Sequence, residues 1–320
     1  MQNKKLAEFI KTHADEINLN KFDEIYDEMK QTIDIRKPEM TALLLDAGID
    51  PLQYMSSVPA GFATQLSTLE KIVIPSNIER IGYLSFSYCP NLKEVIIQNG
   101  VTTIGKSAFV GDEALENVVL PNSLTTIEST AFRGCSSLKN INIPNSVEKI
   151  NSYAFRNCKL LEDITIPGSV KELDGSVFLD CPKLKKVTLL EGVSKVGAYA
   201  FQYCYSLKEI ELPSSLKILR RSIFDSCAFE KVVVPEGVKV IESYAFDACD
   251  ELKEITLPKS LMYIESNAFN ECINLKTINY AGTREDWDKI NKEKGWNVSL
   301  KHLDEIVCSD DTIKLWFETT

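Results

Sequence analysis

Histidine is almost missing from this chain. There are two in 320 residues, His13 and His302, far apart in sequence. Cys–His and Ser–His–acid catalytic sets need an imidazole beside the nucleophile, and little here can supply one. Positive charge is also short: 36 Lys and Arg stand against 46 Asp and Glu, a formal net charge of −10. Phosphate backbones and anionic lipid surfaces both call for a basic patch, so neither nucleic acid nor membrane is expected as a partner. No apolar run approaches the ~18 to 20 residues that cross a bilayer. The opening stretch, residues 1 to 10, is broken by charge and reads as an amphipathic helix, not a secretory leader. On this reading the protein is cytoplasmic, with the cell surface as the alternative if an export signal has been removed. Gly82, Gly105 and Gly197 recur singly at one turn position and form no phosphate loop. The nine cysteines never stand two to four residues apart, as metal-binding pairs do. No metal or other cofactor is expected.

What the chain does have is a period. Phenylalanine recurs at Phe86, Phe109, Phe132, Phe155, Phe178, Phe201, Phe224, Phe246 and Phe269, in steps of 23 residues with a single step of 22 after Phe224. Three residues after each Phe stands a Cys, except at Asp112; six after it stands a Leu, with Phe229 filling that slot in the short repeat. An alternating segment follows, such as Leu138-Lys139-Asn140-Ile141-Asn142-Ile143, which the two-residue period marks as a half-buried strand. A proline usually ends it, because proline cannot donate to a continuing ladder. After a turn comes a second apolar pair, such as Val147 and Ile150, and then the next Phe. One coil cannot bury this set of apolar side chains alone. Stacked coils turn each residue type into a column through a continuous core.

Units such as Val147–Cys158 followed by Leu161–Pro167 resemble the BspA-type leucine-rich repeat of bacteria, over about residues 66 to 280. The stretches Tyr280–Trp287 and Cys308–Ile313 are similar to the terminal unit that often closes such arrays. The resemblance implies an α/β leucine-rich-repeat solenoid with a parallel β-sheet on one face. Residues 52–280 would hold about nine coils plus a degenerate first coil carrying Phe62 and Leu69. Residues 1–51 show helical periodicity (Leu6, Phe9, Ile10; Phe22, Ile25, Met29) and are expected to form a small helical N-terminal cap. Residues 281–320 are expected to form a C-terminal capping unit in which Trp287, Ile290, Trp296 and Leu300 cover the last coil.

With no catalytic constellation visible, the expected function is that of a non-catalytic protein–protein interaction scaffold. The family's common role in secretion and adhesion makes a surface adhesin or glycan-binding protein the alternative. An enzyme with a site near the caps, around His13 or His302, is a third reading. Binding would use outward strand positions. One outward column runs Asp163, Lys186, Glu209, Lys231, Glu254 and alternates in charge, as a solvated ladder does. The neighbouring column holds Val73, Ile96 and Val119 at the N-terminal end, then Asn142 and Thr165. These five are the candidate binding residues, the first three forming an apolar stripe that needs a cover. That cover is either a protein partner or the chain's own N-terminal helices.

The cysteine column predicts free, core-facing thiols, since buried Cys behaves as a small hydrophobe. A thiol reagent should modify few sites in the native protein and all nine after denaturation. Rapid native labelling of most sites, or a mass deficit from paired thiols, would contradict the column.

Overall fold

The structure, a computed structural model, describes Thr41 and residues 50–315. Each coil has three sides. The alternating segments form the first side, with strands such as Lys71–Ile74, Glu94–Ile97, Asp163–Ile166 and Thr277–Tyr280 paired in parallel with their neighbours. The second apolar pair forms another parallel ladder of two-residue strands, among them Thr126–Ile127, Lys149–Ile150 and Glu172–Leu173. The sequence reading expected one sheet; the structure has two sheet sides. The residues around Phe and Cys make the third side, a run of turns.

That third side explains why the expected α/β class does not describe these residues, which form a parallel β-solenoid. In every coil the residues two before and two after the Phe are left-handed, as with Tyr153 at φ 62° and Asn157 at φ 61°. A right-handed helix cannot contain them. The turns nevertheless satisfy their backbone. Tyr153, Phe155 and Asn157 donate their N–H groups to Gly175, Val177 and Leu179 of the next coil, while Ala154, Arg156 and Cys158 donate within their own. Left-handed non-glycine residues cost about 1–2 kcal/mol each, so they persist where such a ladder determines the backbone. Among the described residues, helix is confined to Thr41, the 3-10 turn Pro51–Tyr54 and Arg284–Lys289. The helical cap expected at residues 1–51 otherwise lies outside the described residues. No helix among them is long and apolar enough to cross a membrane.

The core is a stack of identical columns. The Phe rings from Phe86 to Phe224 lie face to face with centroids 5.3–5.9 Å apart and planes within 12°. Each Cys of the column is buried, and its thiol donates to a carbonyl of the preceding coil, as Cys181 does to Phe155 at 3.2 Å. In the degenerate first coil the thiol of Cys89 reaches the carbonyl of Ala63 instead. Ala63 therefore occupies the Phe slot, and Phe62, one residue away, meets Phe86 edge-on at 5.8 Å.

Two irregularities interrupt the ladders. Residues 138–144 are not strand, so the first ladder breaks between Asn117–Val119 and Asp163–Ile166. Asparagine fills both outward positions there, Asn140 and Asn142, and asparagine is a poor strand former. The 22-residue step breaks the first ladder, between Glu209–Glu211 and Lys231–Val233. The second ladder breaks one coil earlier, between Lys195–Val196 and Ile218–Leu219, and stays paired across the short step, Ile218 with Val240. One residue is missing between Cys227 and the Leu slot. Phe229 fills the slot, edge-on to Phe224, whose ring tilts 36° from that of Phe246. At the far end Phe269, Trp296, Trp287 and Tyr280 pack edge to face in series. Thr283 closes a capping box with Asp286 that starts the helix carrying Trp287. The antiparallel strand Thr312–Lys314 covers the last parallel one.

Phe155 is fully buried between stacked neighbours. Phe155→Ala should lower unfolding free energy by roughly 3–5 kcal/mol in a urea titration. A loss below about 1 kcal/mol would mean that the column does not hold the array.

Candidate functional site

Parallel pairing sets which outward side chains meet. Val73 lies opposite Ile96, and Ile96 opposite Val119, so the structure brings this part of the candidate site together on three adjacent strands. Val119 is 52% exposed, Val73 36%, and Ile96 between them is half-buried. The Lys71–Glu94 ion pair, at 2.6 Å, lies along one flank. Beyond the other flank the Gln98 and Asn99 side chains accept N–H bonds from Ser76 and Asn122. An apolar strip with a polar rim is the surface pattern of a contact site. Asn142 and Thr165 are exposed in the same column, but the structure separates them from the strip. Asn142 sits in the segment without strand pairing, and Thr165 lies beyond it, opposite Thr188. Val233, 67% exposed, is a further apolar member of this column, isolated across the short-coil break.

The rest of the face is charge-paired. Lys186 meets Glu211 at 2.9 Å and Glu209 at 3.7 Å; Lys231 meets Glu254 at 2.6 Å. Donating a hydrogen bond to Glu211 raises the Lys186 pKa, and donating one to Glu254 raises the Lys231 pKa. These groups are exposed, and pairs of this kind add little stability. A further row at the strand starts repeats the pattern, with Glu162–Lys185 at 2.6 Å and Glu230–Lys253 at 3.0 Å. The sequence reading passed over that row, though its signal is the same alternation one position upstream.

It also passed over the turn side. Tyr153, Tyr199 and Tyr244 all stand two residues before a column Phe, in every second coil, and the intervening positions are the buried Ser176 and Ser222. The signal was present in the 23-residue register but seemed unremarkable without knowing that this corner faces outward.

Catalytic chemistry finds little to work with among the described residues. His302 is exposed in the terminal unit, and His13 lies outside the described residues. Two open clefts cross the surface. One, of about 670 Å³, is lined by Glu148, Lys149, Lys171, Glu172 and Asp174; the other, of about 490 Å³, by Asp163, Lys185, Lys186, Tyr205 and Glu209. Neither is lined by histidine or cysteine. Among the described residues no group of three or more His, Cys, Asp or Glu is placed to hold a metal ion. The thiols are poor nucleophiles, since burial pushes those of Cys89 and Cys181 up to about 12.

Asp112 is the exception inside the core. It replaces Cys in the column, is fully buried, and accepts the Cys89 N–H at 2.7 Å on Oδ1, while Oδ2 has no partner. Burial raises its pKa from 3.8 to about 8, despite the lowering effect of that hydrogen bond. A neutral carboxyl fits the position, since burial disfavours the charge and Oδ2 meets no donor that would stabilise it. It has no open cleft beside it, so its role is structural. Between pH 3.8 and about 8 the unfolded chain releases this proton and the folded chain keeps it. Stability should therefore fall as pH rises through that window, by at most about 1.4 kcal/mol per unit, and level off above it. Asp112→Asn should remove this part of the slope, measured by denaturation at several pH values. An unchanged slope would show Asp112 to be ionised in the fold.

With this geometry in hand, the comparisons with known proteins are decisive on kinship. A family model described as BspA type leucine rich repeat region, in six copies, matches residues 60–185 and 173–291. The chain belongs to this family. Leucine-rich repeats of this kind generally mediate protein interaction or adhesion. Among solved structures, a leucine rich cell surface protein from Faecalibacterium prausnitzii A2-165 is similar at 25% identity, covering 75% of this chain and 80% of that one, with a TM-score of 0.44. The T. pallidum leucine rich repeat protein is similar at 30% identity over 53% of this chain and 79% of that one, TM-score 0.48. A leucine-rich repeat protein from Bacteroides ovatus ATCC 8483 is similar at 25% identity over 75% and 87%, TM-score 0.41. No curated protein matches the chain.

Proposed function

We propose that this BspA-type solenoid is a non-catalytic binding scaffold that holds a protein partner on the N-terminal end of its first ladder. The observation that carries the reading is the in-register strip Val73–Ile96–Val119, three adjacent apolar side chains on a face whose other coils carry ion pairs and polar residues, with Val233 standing alone. Water is displaced from such a strip at a gain, whereas the charged columns beyond it would have to be stripped of solvent at a cost. Asn142 lies within the unpaired segment 138–144 and Thr165 beyond it, so both stand outside this strip. A cytoplasmic scaffold and a surface adhesin use the same geometry. The adhesin reading draws support from the F. prausnitzii relative, which is described as a cell surface protein.

Ile96 is central in the strip, so Ile96→Glu places a charge in any dry contact there. Affinity capture from lysate of the cell of origin should recover at least one protein with wild type that the variant loses, while the urea midpoint stays put. A lowered midpoint with unchanged capture would instead mean that another part of this chain covers the strip. A variant as stable as wild type that captures the same proteins would leave the strip without a binding role.

A further inference from the structure

The turn side differs from both sheet sides in its chemistry. From the coil of Phe155 to that of Phe269, the positions three and two before the Phe and one and two after it carry no lysine, although lysines crowd the sheet sides. In their place stand tyrosines, amides and carboxylates. Tyr153 is 39% exposed, and Tyr199 and Tyr244 are half-buried. The Arg156 guanidinium lies 5.7 Å from the Tyr153 ring, and that of Arg221 lies 5.7 Å from the Tyr244 ring, which steadies both. Across the coil from Tyr199, at its other left-handed corner, Tyr203 is 40% exposed and stacks on Tyr205 at 5.9 Å.

Polar groups between the rings are held in place by one another. Gln202 donates to Asp225 at 2.7 Å, Asn270 to Asp247 at 2.7 Å, and Asn267 to the Tyr244 hydroxyl at 3.2 Å. Each of these side chains keeps lone pairs or N–H bonds to spare.

We propose that this side binds an extended, uncharged β-1,4-linked glycan lying along the solenoid axis. Three features of this side converge on that ligand. The exposed rings of Tyr153, Tyr203 and Tyr205 and the half-buried ones of Tyr199 and Tyr244 offer apolar surface with a polar tip, which suits the C–H face of a pyranose. The fixed amides and carboxylates suit hydroxyl groups. The tyrosines of the main column recur every second coil, roughly 10 Å apart at the spacing of parallel strands. A β-1,4-linked chain turns each sugar over relative to the last and so presents the same face every second residue, at a closely similar repeat. Charge disfavours the acidic relatives of such a chain, because Asp180 and Asp247 line the path in a protein of net charge −10. This surface is separate from the strip around Ile96, and either can fail without the other.

The test is calorimetric titration of the full chain with cellohexaose and β-1,4-mannohexaose, with maltohexaose as the control that lacks the two-residue repeat. At least one β-1,4-linked hexasaccharide should bind and maltohexaose should not. Tyr199→Asn, which suits a left-handed position, should weaken binding about tenfold, whereas Tyr199→Phe and Ile96→Glu should bind as wild type does. Should Tyr199→Asn fail to fold, Tyr153→Asn and Tyr205→Ala carry the same expectation at more exposed rings. The proposal is overturned if neither β-1,4-linked probe binds at millimolar concentration. Equal binding of maltohexaose, or undiminished affinity in the folded tyrosine variants, overturns it too.

Discussion

Backbone N–H and C=O groups on all three sides of a coil bond along the solenoid axis, so each coil needs its neighbours to complete its hydrogen bonds. The two sheet sides do this as parallel ladders, and the turn side does it through alternate N–H groups such as those of Tyr153, Phe155 and Asn157. The same dependence governs the side chains. Phe155 has ring partners above and below but none in its own coil, and the Cys181 thiol finds its acceptor in the coil before. A lone coil would leave its polar backbone and its apolar side chains unsatisfied together. Neighbour-by-neighbour stabilisation of this kind explains why the ends are the special places. At the C-terminal end the series Phe269, Trp296, Trp287 closes the Phe column, and an antiparallel strand closes the first ladder.

Axial hydrogen bonding also separates structure from function. Because inward side chains belong to columns, they are constrained by the coil above and the coil below, and a column tolerates few departures. Asp112 is one, and its burial favours the neutral carboxyl. Outward side chains carry no such restraint, so the surface columns record what each side is used for. Most of the first ladder carries paired charges that keep it solvated. At its N-terminal end the charge is confined to one flank, the Lys71–Glu94 pair, beside the apolar strip. Two surfaces of different chemistry therefore lie on one rigid rod: an apolar strip suited to protein and an aromatic, amide-bearing row suited to sugar.

Much of this was legible in the chain because a repeat states its core nine times over. The Phe, Cys and Leu columns, the strand in each coil and the register that places Val73 beside Ile96 and Val119 follow from counting residues. Even the one-residue deletion announces itself as a step of 22 and a Phe229 in a Leu slot. Periodicity identifies which residues face in, since only inward positions must be alike in every coil.

The path of the chain between those columns was a matter for the tertiary structure. In Ser152-Tyr153-Ala154-Phe155-Arg156-Asn157 only Asn157 is a residue that favours the left-handed region; Tyr153, like Ser176 at the equivalent position, is not. The inter-coil hydrogen bonds impose it, and with it the turn side that replaces the expected helix and the second sheet side that the sequence reading merged into one. The same bonds turn Tyr153, Tyr199 and Tyr244 outward along one line. The break at residues 138–144, which parts Asn142 and Thr165 from the apolar strip, likewise depends on how neighbouring coils pair and not on the segment's own alternation. The sequence by itself determined which residues had to be inside; the contacts between coils decided the backbone that carries the rest to the surface.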